Sequence, residues 1–162
     1  MTSIAREPLD KLLGYAMRAE IDSDGVYTEL AKKVKNPLLV EKFKLLAFEE
    51  RKHKGVLENL FEAMYPGDTP EVPARVDPKL LPTVTIRPST DLLDILRQAM
   101  QAEASSQAFY VGLAKRVELA KKKILIYLSK VERGHYLMLR SEYSMVQQFA
   151  DYGEKDIDKI VT

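Results

Sequence analysis

The sequence of 162 residues predicts an all-α fold, a four-helix bundle built from two helical hairpins with a long crossover between the second and third helices. Three observations predict this fold. Long stretches place apolar residues at alternating spacings of three and four, as on one face of a helix. Prolines cluster between residues 66 and 88, where no apolar period lasts. The stretches on either side of this segment repeat one pattern, as expected of a duplicated hairpin.

The first hairpin is predicted to span residues 7–65. Its first helix covers about residues 7–34. Asn36 then serves as an N-cap, Pro37 as the first residue of the second helix, and that helix runs to about Met64. A connection this short implies that the two helices are antiparallel.

Residues 66–88 are predicted to form the crossover. This segment is long for a connector inside a compact domain. At roughly 3 Å per extended residue, it could follow the whole length of a helix of about 40 Å. We therefore expect it to return the chain to the starting end of the bundle rather than to link two domains.

The second hairpin is predicted to span residues 89–150. Ser89 or Thr90 is expected to cap its first helix, and its second helix should begin within residues 118–123. The tail, residues 151–162, carries three aliphatic residues that predict a short amphipathic helix packed on the bundle or on a partner. All these segments are expected to form a single domain.

Composition excludes several classes of protein. The 25 basic and 24 acidic residues give a net charge of +1 with no basic stripe, so neither nucleic acid nor a membrane surface is expected as a partner. Cysteine is absent, which excludes disulfides, iron–sulfur clusters and rubredoxin-type iron sites. Without a signal peptide or an apolar run of about 20 residues, a cytoplasmic location is expected.

Charged residues interrupt the apolar seam of each hairpin. Glu50 and His53 lie one turn apart in the seam of the second helix, and Glu132 and His135 do the same in the fourth. These are the only two histidines in the chain, and each follows a glutamate by three residues. A buried charge is costly unless it is paired or bound to a metal, so the pattern indicates a site in the core.

Equivalent residues of the two hairpins are separated by a nearly constant number of positions. Glu20 on the first helix is followed 83 residues later by Glu103 on the third, and the Glu-x-x-His pairs are 82 residues apart. Four carboxylates neutralise two divalent cations, and oxygen and nitrogen ligands without thiolate suit iron(II) or manganese(II). The predicted ligands of a di-iron or di-manganese carboxylate site are Glu20, Glu50, His53, Glu103, Glu132 and His135.

In the order Glu…Glu-x-x-His…Glu…Glu-x-x-His, with the crossover in the middle, the chain resembles the ferritin-like di-iron carboxylate superfamily, and rubrerythrins most closely. The resemblance covers the four predicted helices. It implies two iron ions, with manganese as the other candidate, and one histidine for each metal. The implied terminal ligands are Glu20 and Glu103, and the implied bridging ligands are Glu50 and Glu132. Rubrerythrins reduce hydrogen peroxide with iron, whereas ferritins oxidise and store iron.

Two departures limit the resemblance. No cysteine-ligated rubredoxin module is present, so electrons must come from another protein. Ser106 stands where rubrerythrins carry an extra glutamate, three residues beyond Glu103. The resemblance therefore implies neither the redox-linked ligand switch associated with that glutamate nor efficient peroxidase turnover.

Four residues are candidates for a layer around the ligands: Tyr27, Tyr110, Asp24 and Gln107. The tyrosines could donate hydrogen bonds to carboxylates or fill the core. The aspartate and the glutamine could orient the free nitrogen of a histidine, or be solvated at the end of the bundle. Glu142 is expected to be a bundle-end charge rather than a ligand, and Glu49, which lies off the seam, is expected to be solvated.

The functional expectation is a dinuclear iron protein that reacts with O₂ or hydrogen peroxide in oxidative-stress defence, by peroxidase or ferroxidase chemistry. No catalytic residue beyond the metal ligands is predicted, and a homodimer or larger homo-oligomer is expected. Three alternatives remain. They are iron storage in a closed multi-subunit shell, oxidation of an organic substrate in an apolar cavity beside the metals, and a metal-free interaction bundle.

Overall fold

A computed structural model describes residues 4–149, most of which lie in four helices. The helices are α1 (Leu9–Lys33), α2 (Pro37–Met64), α3 (Leu92–Ala114) and α4 (Leu119–Gln148). No strand occurs among these described residues, and none of their helices is long and apolar enough to cross a membrane. The prediction of an all-α four-helix bundle is confirmed. The helix predicted within residues 151–162 lies outside the described residues.

The starts of the helices follow local side-chain chemistry. Asn36 caps α2 as predicted, because its side chain accepts hydrogen bonds from two backbone N–H groups of the first turn. At α3, the side chain of Asp91 accepts from the backbone nitrogen of Asp94 at 2.7 Å. The predicted cap at Ser89 or Thr90 is therefore wrong.

Two apolar layers fill the bundle, and the predicted ligands lie between them along each helix. The first layer includes Leu13, Leu57, Leu113 and Leu128. The second layer includes Leu30, Phe43, Leu96 and Leu139. Accordingly, α1 and α4 run from the first layer to the second, whereas α2 and α3 run in the opposite direction. The chain leaves α2 at the first layer and enters α3 at the second, so the crossover travels the length of the bundle.

The crossover is held to the bundle by apolar contacts and by one close backbone approach. Leu81 is buried in the first layer, and Val84 and Ile86 pack against the second. On α1, a Cβ atom at Gly14 would lie 2.0 Å from the carbonyl oxygen of Glu71. A glycine at this position therefore allows the crossover to lie directly on α1.

Candidate metal centre

Six polar side chains meet in the middle of the bundle, between the two apolar layers. Each of the six is at most 4% exposed, which is unusual for charged residues that are not paired or bound to a metal. One helix of each hairpin contributes a single glutamate, and the other contributes a Glu-x-x-His pair. The six are the residues predicted as ligands: Glu20, Glu50, His53, Glu103, Glu132 and His135.

The first group of ligand atoms surrounds Nδ1 of His53. This nitrogen lies 2.8 Å from Oε1 of Glu132, 3.5 Å from Oε2 of Glu20 and 3.9 Å from Oε2 of Glu50. One ligand atom from each of the four residues lies within 4.8 Å of the others. The group therefore combines one imidazole with three carboxylates at a spacing that could hold a metal ion.

The second group surrounds Nδ1 of His135. This nitrogen lies 2.9 Å from Oε1 of Glu50, 3.6 Å from Oε2 of Glu103 and 3.6 Å from Oε2 of Glu132. Two carboxylates thus belong to both groups, and each turns one oxygen towards each histidine. This is the arrangement in which Glu50 and Glu132 would bridge two metal ions.

The carboxylate and imidazole atoms at the centre of the site do not all form hydrogen bonds with one another. Four buried atoms have no hydrogen-bond partner among the residues that the structure describes: Oε1 of Glu50, Nδ1 of His53, Oε1 of Glu132 and Nδ1 of His135. Although some of them lie within 3 Å of each other, the angles do not allow a hydrogen bond. Because unsatisfied buried polar atoms are costly, their convergence fits cation binding better than a salt-bridge network. Metal ligation by these residues stays a prediction.

The buried carboxyl groups hold protons more tightly than usual. Burial, followed by repulsion from Glu20 and Glu103, raises the pKa of Glu132 to about 8. Burial and repulsion from Glu20 also raise the pKa of Glu50 well above its ordinary value. For Glu103, burial acts upwards, but contacts with Glu132 and His135 outweigh it and lower the pKa of this carboxyl.

Both histidines also hold protons tightly. Burial acts to lower the pKa of His53, but the neighbouring carboxylates of Glu132 and Glu20 outweigh it and raise the pKa to about 9. The pKa of His135 is raised in the same way, since Glu103 and Glu132 outweigh the effect of burial. Without metal, the two imidazoles are therefore protonated near neutral pH.

Protons and cations would compete for this cluster. Without metal, the raised pKa values of Glu50, Glu132 and both histidines show that protons offset part of the negative charge of the four carboxylates. Two divalent cations would supply four positive charges in their place. Metal binding would therefore release protons from the site.

Two tyrosines connect the hairpins across the site. The hydroxyl of Tyr27 donates to Glu103, and the hydroxyl of Tyr110 donates to Glu20. Both phenols are buried, and burial together with the nearby carboxylates raises the pKa of each well above its ordinary value. Each tyrosine therefore remains a hydrogen-bond donor that orients a glutamate of the opposite hairpin.

Neither of the two candidate orienting residues contacts a histidine among the described residues. Asp24 does not reach a histidine, because its carboxylate accepts hydrogen bonds from Thr28 and Arg51. Gln107 is half-buried and makes no hydrogen bond to any residue that the structure describes. Glu49, predicted to be solvated, instead contacts Nε2 of His135 at 2.6 Å. The one sequence signal for Glu49 is its place directly before a ligand.

Glu142 lies at the end of the bundle, as predicted, but it is buried. Its carboxylate forms an ion pair with Lys42, which is half-exposed on α2. This glutamate belongs to neither group of ligand atoms. Its burial is therefore explained by the lysine rather than by a metal.

A small void lies beneath the crossover, beside a tyrosine that contacts the site. It has a volume of about 20 Å³ and touches Tyr27, Ala102 and Ser106. It shares Asp22 and Val26 with a wider surface groove of about 1050 Å³ between α1 and the crossover. A void of this size holds about one water molecule.

A bundle with one long crossover, and two ligand groups fused through shared carboxylates, define the ferritin-like class of carboxylate bundles. Within this class, the rubrerythrin family profile matches residues 11–143. The chain belongs to the rubrerythrin family, which confirms the resemblance found in the sequence. A solved structure described as a hypothetical protein from Pyrococcus furiosus is 35% identical, with a TM-score of 0.77 and coverage of 90% of this chain and 96% of that one. No curated protein matches this chain.

Proposed function

We propose that this chain is a dinuclear iron carboxylate protein that reacts with hydrogen peroxide or O₂ in oxidative-stress defence. One observation carries the proposal. Glu50 and Glu132 each turn one oxygen towards each histidine, so two ligand groups share two carboxylates. When bound, two ferrous ions would supply one electron each to an O–O bond.

The residues of the chain would hold this site and keep it dry. The apolar layers above and below the ligands exclude bulk water, which strengthens every electrostatic interaction between them. Tyr27 and Tyr110 hold the outer carboxylates of Glu103 and Glu20 by hydrogen bonds. Metal would compete with protons at Glu50 and Glu132, because the pKa of each carboxyl is raised in the metal-free site.

Two grooves of a size suited to an organic substrate, of about 1050 Å³ and 700 Å³, are lined by none of the six ligand residues. The void beside Tyr27 is not lined by them either, and its volume of about 20 Å³ suits a molecule the size of water. An organic substrate would require a wide cavity beside the ligands, so these cavities favour a small oxidant such as hydrogen peroxide or O₂.

Electrons would come from a separate donor protein, because the chain has no cysteine with which to bind its own electron-transfer iron. We further propose that the protein acts in the cytoplasm as a homodimer or larger homo-oligomer. Iron storage is the second candidate and requires a closed shell of subunits. A measured solution mass decides between a small oligomer and such a shell.

Metal analysis followed by anaerobic reconstitution tests the proposal. We expect protein purified from iron-fed cells to contain two iron ions per chain. The ferrous form should be oxidised when it is mixed with peroxide or with O₂, and the faster of the two reactions identifies the oxidant. The Glu50→Ala variant is the control and should show neither metal nor reaction. Absence of bound iron in the wild-type protein after reconstitution would overturn the proposal.

A further inference from the structure

The two histidines of the site differ in what holds their outer nitrogen. Nε2 of His135, on α4, lies 2.6 Å from Oε2 of Glu49, on α2. The side chain of Glu49 is 30% exposed, whereas that of His135 is 3% exposed. The carboxylate therefore reaches into the bundle from its surface and accepts the Nε2–H of the imidazole.

His53 has no such partner. In the repeat, Glu49 precedes Glu50 as Val131 precedes Glu132. A valine therefore stands where the second hairpin would need a carboxylate. Within residues 4–149, Nε2 of His53 makes no hydrogen bond, and all its close polar contacts are made by Nδ1.

This difference acts on the ability of each imidazole to bind a cation. A carboxylate that accepts Nε2–H keeps that proton in place, so the imidazole presents the lone pair of Nδ1 to the centre of the site. It also fixes the orientation of the ring. The ring of His53 lacks this restraint and must lose more freedom when it binds.

We infer that Glu49 makes the two metal positions unequal, so that the position held by His135 binds the first divalent cation and the position held by His53 binds the second. This inference rests on the proposed dinuclear function. Loss of such an outer partner typically weakens metal binding by about 10–100-fold, and the two dissociation constants should differ by a factor of this order. Glu49 is thus a positioning residue that acts through His135.

Anaerobic titration with Mn²⁺ tests the inference without any turnover. Calorimetry measures the two dissociation constants, and electron paramagnetic resonance distinguishes an isolated Mn²⁺ from a coupled pair. We expect the wild-type protein to show isolated Mn²⁺ up to one equivalent and coupled pairs only beyond it. His135→Ala should remove the tight phase, whereas His53→Ala should remove the weak one.

Two variants test the role of the outer carboxylate, one by removing it from His135 and the other by adding one near His53. Glu49→Leu should weaken the tight phase by about 10–100-fold and leave the weak phase unchanged. Val131→Glu should strengthen the weak phase, because it offers His53 the partner that His135 already has. Val131→Leu is the matched control and should leave both phases unchanged.

The outcomes separate the inference from the proposed function. Two Mn²⁺ ions bound with equal affinity by the wild-type protein, or an equal weakening of both phases in Glu49→Leu, would overturn the inference and leave the dinuclear function standing. Failure to bind Mn²⁺ or Fe²⁺ at all would overturn both.

Discussion

The two hairpins carry the same candidate ligands but different surroundings. In the first hairpin, Asp24 of α1 forms an ion pair with Arg51 of α2 at 3.2 Å. At the matching positions of the second hairpin stand Gln107 and Arg133, and that arginine instead lies 5.0 Å from the ring of Tyr136. Ligands and tyrosines are thus repeated, whereas the residues one layer further out are not.

This contrast shows where the repeat is constrained. Cation chemistry demands carboxylates and imidazoles at fixed positions, so a change there is expected to weaken or remove at least one metal position. Glu49 and Val131 are not among these residues, and a change at either is expected to alter the metal affinity of one position only. The following tests, from the largest expected effect to the smallest, address the equivalence of the halves.

The largest effect is expected from the two shared carboxylates. Glu50→Ala and Glu132→Ala should each lose both metal ions, because each removes one oxygen from both ligand groups. Glu20→Ala and Glu103→Ala serve as controls and should each weaken one position more than the other. Metal content after reconstitution measures the result. A variant at Glu50 or Glu132 that retains both ions would show that these carboxylates do not bridge.

Removal of the metal should make stability depend strongly on pH. The folded metal-free protein holds protons that the unfolded chain releases, since the pKa of Glu132 rises from 4.5 to about 8 and that of His53 from 6.5 to about 9. Glu132 acts between pH 4.5 and about 8, and His53 between pH 6.5 and about 9. Across both ranges the unfolded state binds fewer protons at these groups, so their contribution to stability falls as pH rises.

The metal-loaded protein should not show this decline, because fewer protons compete with the cations at higher pH. Thermal unfolding with and without a chelator should therefore give melting temperatures that diverge as pH increases. Identical melting curves in the presence and absence of chelator would contradict the position assigned to the site.

The crossover contacts α1 at a glycine that the second hairpin does not repeat. Gly14→Ala should destabilise the fold by about 1–3 kcal/mol, because the new methyl group would meet the carbonyl oxygen of Glu71 at 2.0 Å. Gly25→Ala on the same helix is the matched control. Nothing lies within 4 Å of that position, so a stabilisation of about 0.5–1 kcal/mol is expected. Chemical denaturation measures both, and equal effects would argue against the close contact.

The smallest effect concerns the tyrosine hydroxyls. Tyr27→Phe and Tyr110→Phe each remove one hydrogen bond to a ligand carboxylate and should each weaken metal binding by about 1–2 kcal/mol. Because the two contacts match, the two losses should agree within about twofold in affinity. Calorimetric titration measures both variants, and a large effect at one tyrosine alone would show that this part of the repeat is not equivalent.

The sequence was sufficient to predict that these six side chains lie close together in the core. Glu50 and His53 occupy seam positions among leucines, and helical periodicity alone directs such positions to the core. The shared spacing then relates Glu20 to Glu103 without any knowledge of how the helices cross. A position in the apolar seam thus predicts that a side chain is buried and lies near the seam residues of the other helices. A site in the core requires both.

Residues beside the seam depend on how helices pack against each other. Glu49 points to the flank of α2, and only the approach of α4 brings a histidine nitrogen within 2.6 Å. Asp24 likewise depends on packing, because α2 places the guanidinium of Arg51 3.2 Å from its carboxylate. The N-cap of α3 was predicted wrongly because Ser89, Thr90 and Asp91 are all suitable cap residues and the sequence alone does not distinguish them. In the structure the cap is Asp91.

The crossover has a consequence for symmetry. One hairpin contributes half of the ligands, so two identical copies would assemble a complete pocket in which every outer residue appears twice. When two copies are joined in one chain, the outer residues need no longer be identical, because each half can mutate alone. A carboxylate opposite one histidine and a valine opposite the other require this freedom. A paired homodimer of single hairpins could never differentiate its halves.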